Sequence, residues 1–227
     1  MNTLHQFLFG IFPYIALSIF FLGSLIRFER EQYSWKSESS QVLYQGQLRI
    51  GNILFHVGIL MVFFVHLFGL LTPLWLWDAL GVTHGAKQII AMSMGGIFGL
   101  MAMVGLIMLL MRRLKCDRLA ANTTWRDKLV LIWLIITLGL GLLTILISMG
   151  HTDGHEMVKL MNWAQHIVTF RGGAASHIVD VSLMFKLHML MGMGLFVIFP
   201  FTRLVHVWSG FASVSYVGRA WQLVRRR

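Results

Sequence analysis

Five long runs of apolar residues alternate along the chain with shorter segments that carry most of its charged residues. The runs cover about residues 7–26, 52–72, 89–111, 129–147 and 183–207. Because about 20 helical residues span the hydrocarbon core of a bilayer, this pattern predicts an all-α fold, an integral membrane bundle of five transmembrane helices. The last run is the least uniform, and its core, residues 187–201, is expected to continue as helix past the membrane surface.

The composition agrees with a membrane protein. Apolar residues make up 57% of the 227 positions, charged residues 12%, and the mean hydropathy is +0.72, whereas soluble domains carry about 25% charged residues. Arg27 follows the first run and no basic segment precedes it, so this run is expected to remain as a helix. Cys116 is the only cysteine, which excludes an internal disulfide, a C-x-x-C-H haem attachment site and a cysteine-ligated iron–sulfur cluster.

Lysine and arginine are distributed unevenly. The segments 27–50, 112–128 and 203–227 hold 15 of the 19 basic residues, and they fall on one side of a five-helix bundle. The positive-inside rule then predicts an N-terminus outside and a C-terminus in the cytoplasm. The net charge of +10 is therefore mainly an orientation signal, and since the basic residues do not form one stripe, no nucleic-acid partner is expected.

Four histidines lie inside the apolar runs, His56 and His66 in the second and His188 and His206 in the fifth. A titratable side chain in hydrocarbon is costly, so it normally faces the bundle interior and has a partner. Since helices two and five run in opposite directions, depth pairs His66 with His188 near the outer face, and His56 with His206 near the cytoplasmic face. Each pair can bind one haem iron from both sides, which suits electron transfer because no position is left open for O₂.

The spacings within the two helices differ. His188 and His206 are 18 residues apart and point the same way, whereas His56 and His66 are ten apart and differ by roughly 80°. The two separations along the helix axes also disagree by roughly 12 Å. Helix tilt, or a break at Pro200 just before His206, would absorb part of this difference. A single histidine in an apolar helix is more often a packing residue or a proton relay, but four at matched depths favour haem ligation.

Three cationic side chains are further candidates. Arg112 and Arg203 lie where the propionates of an inner haem could emerge, although residues that obey the positive-inside rule need no such role. Lys87 opens helix three at the outer face, where its ammonium could donate to a quinone carbonyl. From the residues alone, a lysine reaching to the membrane surface is the simpler interpretation of Lys87.

The outer connection, residues 148–182, contains four more histidines. They do not form the H-E-x-x-H motif of a zinc protease, and we interpret them as solvated loop residues: His151, His155, His166 and His177. Residues 157–170 are expected to form an interfacial helix over the outer site.

Several stretches carry a family resemblance. They are NILFHVG at 52–58, HLFGLLTP at 66–73, KQ at 87–88, WAQ at 163–165, VTF at 168–170, LH at 187–188, FPFTRLVHVW at 199–208 and QLVR at 222–225. In these stretches, and over essentially the whole chain, the protein resembles the gamma subunit of respiratory nitrate reductase, the cytochrome b membrane subunit of the quinol-oxidising enzyme. Val65, where relatives have glycine, and the loop 76–86 depart from the family pattern and leave the choice between ubiquinol and menaquinol open.

The resemblance implies roles for individual residues. His66 and His188 would bind a distal b-type haem, and His56 and His206 a proximal one. Lys87, together with His66, would bind quinol, which replaces the simpler interpretation of this lysine. Residues 1–208 would form the di-haem domain in the bacterial inner membrane.

The resemblance also implies partners. Residues 209–227 would form a basic cytoplasmic tail docked on an iron–sulfur beta subunit and a molybdenum alpha subunit that reduces nitrate. Two alternatives remain. One is a two-haem anchor of another reductase, of the sulfite or heterodisulfide type. The other is a haem-free transporter or anchor whose histidines relay protons.

Overall fold

A computed structural model describes residues 2–30, 48–121 and 123–208. Nine α-helices lie in these ranges: α1 (Thr3–Gln6), α2 (Phe12–Arg30), α3 (Leu48–Leu71), α4 (Leu74–Ala79), α5 (His84–Lys115), α6 (Asp117–Ala121), α7 (Trp125–Ser148), α8 (His155–Val168) and α9 (Leu183–Ile198). A π-helical segment, Phe7–Ile11, joins α1 to α2, and 3₁₀ turns cover Ala174–Ile178, Phe199–Phe201 and Arg203–Val205. The described residues contain no β-strand.

Five helical segments are long and apolar enough to cross a membrane. They are Thr3–Arg30, Arg49–Leu71, His84–Lys115, Trp125–Ser148 and Leu183–Phe201. Each overlaps one of the five predicted runs, so the prediction of an all-α, five-helix membrane bundle is confirmed. The chain is a multi-pass membrane protein.

Side-chain caps begin two of the spanning helices. The Thr83 hydroxyl accepts from the Ala86 amide at the start of α5, 3.2 Å away. At the start of α7, Thr124 and Asp127 form a capping box, in which each side chain accepts from the other residue's amide. Such caps satisfy amides that have no partner within the helix.

Small residues bring α3 and α5 into close contact. A Cβ added at Gly58 would lie 2.8 Å from the Ala102 Cα, and one added at Gly105 would meet the backbone at Phe55. Small residues at such crossings let helix backbones approach each other, which is how helices associate in lipid. One face of α3 is therefore packed against α5, whereas the side chains of His56 and His66 on α3 are exposed.

Two groups of buried apolar residues hold the remaining helices together. One joins α2 and α9 to the Ala174–Ile178 turn and includes Phe9, Ala16, Ile178 and Met193. The other joins α5 to α7 and includes Leu106, Leu134 and Leu138. This packing places α7 beside both α5 and α9.

The fifth spanning helix ends earlier than predicted. The α-helix stops at Ile198, Pro200 lies in the following 3₁₀ turn, and Thr202 is extended (φ −126°, ψ −177°). The expectation of continuous helix past residue 201 is wrong, because a proline ring removes an amide donor and clashes with the preceding turn. The alternative, a break at Pro200 before His206, is confirmed.

The predicted basic tail, residues 209–227, lies outside the described residues, as do residues 31–47 between α2 and α3. The two ends of the bundle are named after residues that lie there, the Lys87 end and the Arg203 end. The orientation predicted from charge places the Lys87 end outside.

Candidate functional site

The four membrane histidines form two pairs. The ring centroids of His66 and His188 are 5.9 Å apart, with an interplanar angle of 44°. Those of His56 and His206 are 6.2 Å apart, with an angle of 67°. These are the two pairs that depth along antiparallel helices predicted, at the Lys87 end and the Arg203 end respectively.

The break at Pro200 explains how both pairs form despite their unequal spacings. His206 does not continue the α9 helix but follows the extended residue Thr202 and a short 3₁₀ turn. Its ring position is therefore independent of the 3.6-residue period that relates His188 to the rest of α9. A straight helix would have carried His206 further from the level of His56.

Each of the four rings is oriented by one hydrogen bond to a backbone carbonyl. The Nδ1 atoms of His56 and His66 donate to Asn52 O (2.9 Å) and Val62 O (2.8 Å), one turn earlier in α3. His188 Nδ1 donates to Thr137 O of α7 (3.0 Å), and His206 Nδ1 to Arg203 O (2.6 Å).

These bonds determine the tautomer. A carbonyl oxygen only accepts, so Nδ1 carries the proton in each neutral ring, and Nε2 has the free lone pair. Metal-bound histidines commonly donate their other ring N–H in this way, which fixes the ring and makes the ligand more basic. Among the described residues, no hydrogen bond involves Nε2 of any of these four rings.

The distances suit a metal ion with axial imidazoles. With metal–nitrogen bonds of about 2 Å, two imidazoles on opposite sides of one ion have ring centroids roughly 6 Å apart. The described residues contain no group of three or more His, Cys, Asp or Glu that could hold a metal ion. Each histidine pair offers two imidazole nitrogens, which is the ligand set that a b-type haem would take from the protein.

Sequence reasoning missed the surroundings of His188. Besides the Thr137 carbonyl, helix α7 places Gly141 against the ring, since a Cβ there would lie 2.9 Å from His188 Cε1. Gly192, which lies one turn after His188 in α9, has no atom within 4 Å of an added Cβ and so leaves open space on that side. The only signal in the sequence was that Gly141 lies in an apolar run one turn after Thr137.

The two candidate arginines lie at the Arg203 end. Arg203 pairs with the buried Asp127 through two contacts, Nη2 to Oδ2 at 2.7 Å and Nε to Oδ1. Arg113 Nη1 lies 3.4 Å from the same Oδ2. Arg112 is buried, with 7% of its surface exposed, in the last turns of α5. Asp127 is a residue of this site that the sequence interpretation did not single out.

Lys87 is buried at the opposite end. It is 3% exposed, its Nζ contacts the sulfur of Met161, and it lies 4.9 Å from the centroid of the Trp77 ring. The interpretation that Lys87 reaches to the membrane surface is therefore wrong. The Lys87 ammonium lies instead between the Met161 sulfur and the face of the Trp77 ring.

Helix α8 covers the Lys87 end, as predicted for an interfacial helix. Gln165 Nε2 donates to Leu70 O and Thr72 O, both at 3.2 Å, which ties α8 to the end of α3. Gln88 Nε2 donates to His151 O (2.7 Å), and its Oε1 accepts from the Gly154 amide (2.8 Å).

The loop histidines divide into two groups. His151 and His155 are exposed, as expected. His166 and His177 are half-buried and contact each other, with Nε2 atoms 3.4 Å apart. Burial, together with the neighbouring His166, lowers the pKa of His177. The expectation of a solvated loop is thus wrong for this pair.

The amino-acid sequence is similar to those of known proteins over its whole length. Residues 5–227 match the model of a family described as nitrate reductase gamma subunit. The chain is 46% identical over 227 residues to the respiratory nitrate reductase 1 gamma chain of Escherichia coli, covering 100% of both chains. It is 47% identical to the nitrate reductase 2 gamma chain of the same organism, covering 100% of this chain and 99% of that one. The nitrate reductase gamma chain of Bacillus subtilis is 33% identical over 98% of each chain.

Proposed function

This chain belongs to the nitrate reductase gamma subunit family, and from that premise we propose that it is a cytochrome b subunit that oxidises quinol and transfers the electrons to its partner subunits. As a gamma subunit it is a membrane component of a multi-subunit respiratory nitrate reductase. The proposed residues lie at both ends of the bundle. The observation that carries the proposal is the pair of facing histidines at each end.

Haem fits these histidine pairs. The pairs lie at the separation that two axial imidazoles require, and the Nδ1 bonds leave each Nε2 free to ligate. Bound there, two b-type haems would supply one-electron carriers at two depths of the membrane. His66 and His188 would hold one, and His56 and His206 the other. Arg112 and Arg203 would bind the propionates of the second haem.

Quinol would be oxidised at the Lys87 end. Oxidation of one quinol to quinone releases two electrons and two protons. The buried Lys87 ammonium would hydrogen-bond a quinone oxygen, because its surroundings offer few competing acceptors and exclude water. His66, in the pair at this end, would contact the quinol through the edge of its ring, since its Nδ1 is bonded to Val62 O and its Nε2 would bind the haem, and α8 covers this end of the bundle.

The direction of transfer follows from the predicted orientation. With the Lys87 end outside, the protons are released outside and the electrons move inward toward the Arg203 end. The partners there would be an iron–sulfur beta subunit and a molybdenum alpha subunit, on which nitrate is reduced. The basic segment 209–227 would dock on these subunits.

A redox difference spectrum tests the haem assignment. Dithionite should produce a b-type α band in purified membranes, and the absence of that band would leave only the haem-free alternative. His66→Ala and His188→Ala should each remove the same haem, and His56→Ala and His206→Ala the other. Loss of the same haem from His66→Ala and from His56→Ala would show that the pairing is wrong.

A second experiment tests the quinol site. Lys87→Ala should retain both haems but lose most of the quinol-driven haem reduction. The control is Lys159→Ala, at a half-buried ion pair with Glu156, whose haems should be reduced by quinol at the rate of the unaltered protein. Unchanged kinetics in Lys87→Ala would remove this residue from the site. Nitrate-dependent reoxidation of the haems in the whole complex separates a nitrate reductase from an anchor of another reductase.

A further inference from the structure

The segment that carries His206 is held by side chains of other helices. After α9 ends at Ile198, residues 199–205 form two 3₁₀ turns separated by the extended Thr202. Arg27 of α2 donates to Pro200 O (2.7 Å) and to Thr202 O (2.8 Å), carbonyls that have no partner in a regular helix. The position of His206 thus depends on contacts outside its own segment.

Asp127 makes the other contact to this segment. Its carboxylate is 5% exposed and binds the Arg203 guanidinium through both oxygens. The same carboxylate accepts from the Thr124 amide at 2.9 Å, so the capping box of α7 fixes its position. Planar, two-point pairing of this kind restrains direction as well as distance.

A short chain of contacts connects Asp127 to the His206 ring. The carboxylate holds the Arg203 side chain, and the Arg203 carbonyl accepts from His206 Nδ1 at 2.6 Å. The residue that Asp127 binds is therefore also the residue that orients the imidazole. Neither contact exists for the other histidine pair, where His188 donates to Thr137 of α7.

We propose that Asp127 is a positioning residue for the His206 imidazole and that its charge sets the redox potential of the haem at the Arg203 end. This inference rests on the proposed function. Asp127 would not itself bind the haem, since its carboxylate is engaged by Arg203, Arg113 and the Thr124 amide. It acts through Arg203, and its negative charge balances Arg203 and Arg113, both of which it contacts.

The expected effect on the potential has a definite sign. Replacing the carboxylate removes a negative charge that lies beside Arg203 and Arg113, which makes the local potential more positive. A more positive environment favours the reduced iron, which carries one positive charge fewer. The midpoint potential of this haem should therefore rise, while the haem of His66 and His188 should not change.

Asp127→Asn is the first test. An asparagine keeps the side-chain length and can still accept from the Thr124 amide, but it has no charge. In the whole complex, the low-spin ferric haem signal from the His56 and His206 pair should shift in electron paramagnetic resonance, and its potential should become more positive in a redox titration. Asp127→Glu retains the charge and should restore the potential toward that of the unaltered protein.

Two further variants complete the design. Arg203→Lys keeps the cation but cannot pair at two points, so it should alter the same haem signal with a smaller change in potential. Asp117→Asn removes an exposed carboxylate at the same end of the bundle and should change neither haem.

The proposal is overturned if Asp127→Asn and Arg203→Lys both retain the signal and potential of the unaltered protein, or if both haems change equally. The second result would mean a general role in folding. If the unaltered protein contains no haem, the proposed function fails instead, so the two failures are distinguishable.

Discussion

Gly141→Ala is expected to disturb the proposed haem site of His66 and His188 and to leave the proposed site of His56 and His206 unchanged. The added Cβ would lie 2.9 Å from His188 Cε1, whereas carbon atoms in contact are about 3.5–4.0 Å apart. The ring must therefore move by roughly 0.6–1.1 Å. His188 cannot move freely, because its Nδ1 is bonded to Thr137 O at 3.0 Å.

The free-energy cost of Gly141→Ala can be estimated from other substitutions that add a methyl group to a packed site. Inserting a methyl group into a packed site costs about 1–3 kcal/mol, which corresponds to roughly 5–150-fold weaker binding if the strain is released when the ligand leaves. The haem at the His66 and His188 pair should therefore be lost or spectrally shifted. The haem at the His56 and His206 pair should be retained, because Gly141 contacts the His188 ring, whereas the α7 residue that binds Arg203 is Asp127, 14 residues earlier in the chain.

Haem content per protein and the low-spin ferric signals measure this effect. Gly139→Ala is the matched control in the same helix, since its Cβ would lie 4.0 Å from Met103 Cε, an ordinary contact. The reasoning is refuted if Gly141→Ala and Gly139→Ala both keep two haems with unchanged signals. It is also refuted if Gly141→Ala loses the haem of His56 and His206 first.

Three further perturbations test other contacts. Gly58→Ala should lower the free energy of unfolding by about 1–3 kcal/mol, and with it the melting temperature, because the added Cβ would lie 2.8 Å from the Ala102 Cα where α3 crosses α5. Gln88→Ala should expose the loop after α7 to limited proteolysis, since it leaves a carbonyl and an amide without partners, at about 1–3 kcal/mol. The pKa of His177 is lowered in the folded protein. As the pH falls below about 6.5, this histidine therefore takes up a proton in the unfolded protein before it does so in the folded one. Stability should therefore decline below that pH, and His177→Gln should reduce the decline in melting temperature.

A specific result would contradict each of these three predictions. Gly96→Ala has only Ile145 Cδ1 at 4.0 Å, so equal destabilisation of Gly58→Ala and Gly96→Ala would contradict close helix packing. Unchanged proteolysis of Gln88→Ala would mean that its hydrogen bonds do not restrain the loop. An identical pH profile with and without His177 would assign the decline to other groups.

The membrane-spanning helices and the histidine pairing were predictable for a local reason. Length and hydropathy report whether a segment partitions into lipid, and the antiparallel order of two such segments restricts which depths match. The depth of His56 and His66 followed from their place in α3 alone. The pairs then formed as expected, at 6.2 Å and 5.9 Å between ring centroids.

The environment of Lys87 was less predictable from its own segment. Its position at the start of α5 suggested exposure, but Met161 of α8 and Trp77 of α4 enclose it. These residues are distant in sequence, and their approach depends on how α8 folds back over the bundle. From the sequence, its position allowed a contact with quinone, but only the family resemblance favoured that role over a lysine at the membrane surface.

The five spanning segments, and which histidine of helix two faces which histidine of helix five, were predictable from the amino-acid sequence. The break at Pro200 was predicted as one of two possibilities, the other being helix tilt. These follow from side-chain polarity, periodicity and the fixed φ of proline, which act over a few residues. Tertiary structure decided the direction of the chain after that break and the hydrogen-bond acceptor of His188. It also decided the pairing of Asp127 with Arg203, 76 residues away. Such contacts arise only when separate helices pack together, because no local pattern encodes which side chain will satisfy a buried charge on another helix.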